Sequence, residues 1–62
     1  MLAPKTLIGR YATWDDYRGV ITDIEWREAM GDWACTIWAR RDNYIQPSAT
    51  YVVPLGKLSV RA

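Results

Sequence analysis

Two stretches of this chain alternate with a period of two, and that alternation limits its fold more than any other feature. In Val20-Ile21-Thr22-Asp23-Ile24-Glu25-Trp26 the even positions read Val, Thr, Ile and Trp, and the odd positions Ile, Asp and Glu. In Trp33-Ala34-Cys35-Thr36-Ile37-Trp38-Ala39-Arg40, one face carries Trp33, Cys35, Ile37 and Ala39, and the other Ala34, Thr36, Trp38 and Arg40. Successive side chains of an extended chain point to opposite sides, so each stretch reads as a strand with one face toward a core. Val, Ile, Thr and Trp also suit a pleated surface. No segment repeats at 3.6 residues over a useful length, so the expected class is all-β.

The punctuation between these stretches gives the rest of the outline. Leu7 to Thr13 is β-compatible, with Gly9 a bulge or a point of close approach. Trp14-Asp15-Asp16-Tyr17-Arg18-Gly19 reads as a turn or short loop, Arg27 to Asp32 as a connecting loop, and Arg41-Asp42-Asn43 as a tight turn. Tyr44-Ile45-Gln46 starts a further strand that Pro47 interrupts, because proline has no N–H to give a ladder. Thr50-Tyr51-Val52-Val53 resumes it, Leu55-Gly56-Lys57 suits one tight helical turn, and Leu58-Ser59-Val60 closes the series. About five short strands with turn signals every 8–12 residues predict a small barrel. A chain of 62 residues is one domain at most, with residues 1–6 as a loose start.

The order of elements resembles an SH3-like barrel: three meandering strands, a fourth, one helical turn, and a last strand. The ending Tyr51-Val52-Val53-Pro54-Leu55-Gly56-Lys57-Leu58-Ser59-Val60 resembles the closing segment of such barrels. Tyr17-Arg18-Gly19-Val20-Ile21-Thr22-Asp23-Ile24 resembles the Gly-x-Val core of KOW-type barrels, the ribosomal and transcription-factor variant. The chain is also similar, from Tyr17-Arg18-Gly19 through Trp26 to Pro54, to the plasmid-borne type II dihydrofolate reductases. Those are small SH3-like barrels that act as tetramers around one active pore. Their Gln-Ile-Tyr triplet falls here on Tyr51, Val52 and Val53, and their upstream Lys falls near Tyr11 and Ala12. The resemblance implies the fold and a tendency to associate, and argues against the reductase activity.

Composition closes several routes to chemistry. The chain has no His and one Cys, which excludes a His-based triad, a four-Cys zinc site and an intrachain disulfide. Cys35 reads as a buried residue, since no His stands ready to activate it. Asp15 and Asp16 are neighbours and serve a turn better than an acid–base pair. Asp23 and Glu25 share a strand face, best used as a solvated one. No cofactor and no metal are expected. The opening Met1-Leu2-Ala3-Pro4-Lys5 lacks the basic region and apolar core of a signal peptide, and no apolar run approaches ~20 residues, so the expected setting is cytoplasmic.

What composition favours is binding. Four Trp and four Tyr exceed what so small a core can enclose, since each buries ~150–250 Å². Alternation predicts one apolar outer patch of Ile21, Trp38, Tyr51 and Val53, rimmed by Arg40 and Asp23. Such a patch marks a protein–protein interface, first of all self-association into a homo-oligomer. A bulge at Pro47 would move the fourth strand's set to the opposite face. The alternative is a nucleic-acid surface. Arg10, Arg18, Arg27, Arg40 and Arg41 interleave with Trp14, Trp38 and Tyr44, a pattern suited to stacking on unpaired bases. Against it, eight basic residues nearly cancel seven acidic ones, leaving a net charge of +1. A third reading is a small-molecule enzyme at an oligomer axis, as in the reductases.

Overall fold

A computed structural model describes residues 4–42, 45 and 47–61. The two alternating stretches form its longest strands, β2 (Tyr17–Arg27) and β3 (Asp32–Arg41), paired antiparallel across the turn at residues 28–31. Gly31 supplies the positive φ (66°) that this turn requires. Strands β1 (Tyr11–Trp14), β4 (Ala49–Pro54) and β5 (Ser59–Val60) complete one antiparallel sheet in the order β4-β3-β2-β1-β5. The turn before β2 is shorter than the sequence suggests. Asp15 and Asp16 alone connect β1 to β2, with Asp15 at φ 49°, so the loop expected from Trp14 to Gly19 is largely strand. A 3₁₀ turn, Lys5–Leu7, takes up the end of the expected loose start and Leu7, and of the segment expected to be β-compatible only Tyr11 to Thr13 is strand. A second 3₁₀ turn, Leu55–Lys57, stands where the sequence places a tight helical turn.

Among the described residues β4 and β5 do not pair with each other, so the sheet is open rather than closed. No described helix is long and apolar enough to cross a membrane. The turn expected at Asn43 and the strand start expected at Tyr44 and Gln46 fall on residues outside those described.

The sheet has one dry face. Its core is Ala12, Trp14, Ile21, Ile24, Cys35, Ile37, Ala39 and Val53. Across four strands this face carries a row of small residues, with Gly19 opposite both Ala12 and Ala39, and Ala39 opposite Ala49. That row leaves room for large side chains to meet over it. Tyr51, opposite Ile37, reaches past Ala39 to place its ring 5.1 Å from that of Tyr17 and 5.9 Å from that of Trp14. Trp14 and Tyr17 stack at 5.1 Å with planes 7° apart. Gly19 is required by proximity. A Cβ added there would lie 2.2 Å from the Trp38 carbonyl oxygen and 2.5 Å from Ala39 Cα.

One bulge in β2 and the register of β4 set the faces differently from the expectation. The β2–β3 register shifts between Ile21 and Asp23, so Thr22 is an extra residue, a β-bulge, whose hydroxyl donates to the Thr36 carbonyl at 3.1 Å. The bulge turns Ile21 and Ile24, three apart, onto the same dry face, where both are buried. Ile21 therefore does not share the outer face, as alternation alone predicts. In β4, Val53 stands opposite Cys35 and Tyr51 opposite Ile37. Directly opposite residues share a face, so Val53 and Tyr51 point inward. Val52, expected inward, is 46% exposed. The side chains of β4 therefore lie on the faces opposite to those that alternation predicts.

Candidate functional site

Burial removes three members of the predicted outer patch. Ile21 and Val53 belong to the core, and Tyr51 packs against it. Trp38 stays outside at 53% exposure, and Arg40 beside it is exposed. The nucleic-acid set divides in the same way. Trp14 is core, stacked on Tyr17. Arg41 lies over the Tyr17 ring, 5.8 Å from its centroid, and is ion-paired with Asp16. Arg27 pairs with Glu25 toward the far hairpin end. Tyr44 lies outside the described residues. Arg18 and Arg40 stand opposite each other and share the outer face with Trp38.

The register shows which residues join them. One outer row runs Tyr11, Val20, Trp38, Thr50 across β1 to β4, and the Arg61 N–H donates to the Tyr11 carbonyl at 2.9 Å at its β5 end. The next outer row runs Ser59, Thr13, Arg18, Arg40. Between these standing side chains lies an open groove of about 560 Å³ over the backbone of Gly19 and Ala39, lined also by Ser48 and Arg61. Tyr11, 58% exposed, and Trp38 flank Val20 on either side. Sequence reading missed Tyr11, Thr13, Val20 and Arg61 because only the pairing of β2 with β3, and of β1 with β2 and β5, sets them beside Trp38.

The charges of this groove have one sign. Arg18, Arg40 and Arg61 line it, and no carboxylate does. Arg18 is held by Asp42, with Nε 2.8 Å from its carboxylate. Arg40 and Arg61 have no acidic partner among the described residues. Asp23 and Glu25 lie on the outer side farther along β2, opposite Thr36 and Ala34. The net charge of +1 therefore hides a segregation along the sheet. At the opposite face, the Arg41 guanidinium hydrogen-bonded to Asp16 holds that carboxyl below its ordinary range.

Cys35 is fully buried in the core, and burial first, then the charge of Asp32, pushes its thiol up from its usual value. That environment opposes thiolate chemistry. Among the described residues no group of three or more His, Cys, Asp or Glu gathers as metal ligands would. What the outer groove offers is guanidinium groups, hydroxyls and two exposed aromatic residues, chemistry able to pair with an anion and to pack against flat rings. No protein-family model, curated protein or solved structure matches this chain.

Proposed function

We propose that this chain is a small non-enzymatic binding module of SH3-like topology that takes single-stranded nucleic acid on the outer face of its sheet. The strand meander from β1 to β4, the 3₁₀ turn, and the return of β5 to β1 support the topology. One observation carries the function: Tyr11 and Trp38 stand exposed in a groove whose charged residues are all arginines. Arginine pairs with phosphate and stacks on bases, and aromatic faces accept any base.

Anisotropy of a labelled octathymidylate, titrated with the protein at low salt, tests this. Non-specific affinities lie at ~10⁻⁴–10⁻⁶ M. Neutralising two or three phosphates predicts a slope of about −1.4 to −2.1 in log K against log salt. Arg40→Glu and Arg61→Glu should each weaken binding with melting temperature unchanged. An absence of binding at about 10⁻⁴ M, the weak end of the non-specific range, refutes the reading.

A second reading is self-association through this same face, favoured by the exposure of Trp38, Tyr11 and Val52 at 53%, 58% and 46%. Sedimentation at rising protein concentration tests it. A monomer at all concentrations removes it.

A further inference from the structure

We propose that Asp42 is an internal competitor for phosphate: it holds the Arg18 guanidinium out of use, so the groove engages two phosphates of a single strand where its arginines could engage three. The inference rests on the single-strand reading above and names what limits that site. Arg18, Arg40 and Arg61 line the groove, and of these only Arg18 has an acidic partner among the described residues. Its Nε lies 2.8 Å from Asp42 Oδ1, and its Nη2 donates to Asp42 Oδ2 at 3.0 Å. That is a bidentate pair, and two parallel N–H donors are also the fork with which arginine grips a phosphate. Carboxylate and phosphate therefore compete for one edge of one guanidinium.

The carboxylate is the anchored member of the pair. Asp42 follows the last residue of β3, and its N–H donates to the Asp16 carbonyl at 2.7 Å, which ties its backbone to the turn between β1 and β2. Asp42 itself does not line the groove. Arg18 stands on the outer face between Thr13 and Arg40, and 57% of its side chain is exposed at the end of a long stem. While it is paired, its charge is already neutralised and releases no counterion from a bound strand. An exposed pair of this kind shifts an equilibrium by about two- to fivefold. That is small enough for one substitution to free Arg18 without disturbing the sheet.

Salt titration of octathymidylate binding tests the competition, because each neutralised phosphate contributes about −0.7 to the slope. The parent should give about −1.4 and Asp42→Asn about −2.1. At low salt Asp42→Asn should also bind about two- to fivefold more tightly. Adding Arg18→Ala to Asp42→Asn should return the slope to about −1.4. Asp15→Asn, the same charge change in the neighbouring turn, should leave the slope of the parent and an affinity within about twofold of it. Asp42→Ser should repeat the steepening, so the result does not hang on the folding of one variant, and circular dichroism should show the variants folded. A parent slope already near −2.1, no steepening on loss of the Asp42 charge, a steep slope kept without Arg18, or an equal gain from Asp15→Asn overturns the competition while the single-strand function stands. Failure of the octathymidylate to bind the parent at about 10⁻⁴ M overturns both.

Discussion

Gly19→Ala is the substitution that this architecture should tolerate least. An alanine Cβ at that position meets the Trp38 carbonyl oxygen at 2.2 Å, Ala39 Cβ at 2.4 Å and Ala39 Cα at 2.5 Å. Ordinary carbon contacts begin near ~3.5 Å, so β2 and β3 must part by about 1 Å near the Tyr17–Arg41 end of their ladder. Two of the three obstructing atoms are backbone, which cannot rotate aside. Overpacking of this kind costs ~1–3 kcal/mol. Stretching one or two ladder hydrogen bonds around the site adds ~1 kcal/mol each. The total, about 2–5 kcal/mol, compares with the ~3–9 kcal/mol expected for a chain of 62 residues. Urea unfolding followed by tryptophan fluorescence should show a large drop in midpoint, or a chain unfolded without urea. Adding Ala39→Gly removes only the Cβ contact, so the double variant should stay within about 1 kcal/mol of Gly19→Ala. A Gly19→Ala midpoint within about 0.5 kcal/mol of the parent refutes the close approach.

Cys35 should resist thiol reagents in the folded protein and react at the unfolding rate when urea is added; rapid labelling under native conditions would place it outside the core. Asp16 makes stability depend on pH in a defined window. Its carboxyl is held below the ordinary value of 3.8 by Arg41, so the pair's contribution is full above that value and fades as pH falls through the lower folded value. Asp16→Asn should therefore lower the melting temperature at pH 6 and make progressively less difference below pH 3.8, and a difference that is constant with pH would refute the assignment.

The clearest strand faces in the sequence belong to β3. Trp33, Cys35, Ile37 and Ala39 alternate without interruption, and all four turn to the core side. The 3₁₀ turn at Leu55–Lys57 was equally legible, since Pro54 cannot extend a ladder and the next residues suit a tight turn. The outer face was not. Whether Ile21 points in or out depends on one extra residue, Thr22, and a bulge carries no signature in alternation alone. The inward turn of Tyr51 and Val53 depends on which β3 residues they oppose, which a sequence read strand by strand does not contain.

Local pattern, then, determined that the chain forms antiparallel strands, roughly where they begin, and that it has more aromatic surface than a core of this size can hide. Tertiary structure decided which aromatics those are. It buried Trp14 against Tyr17 and Tyr51, and left Tyr11 and Trp38 outside among three arginines. The physical reason lies in range: the direction of a side chain follows from its own backbone, whereas its neighbours follow from register, and register is fixed by contacts between residues far apart in the chain.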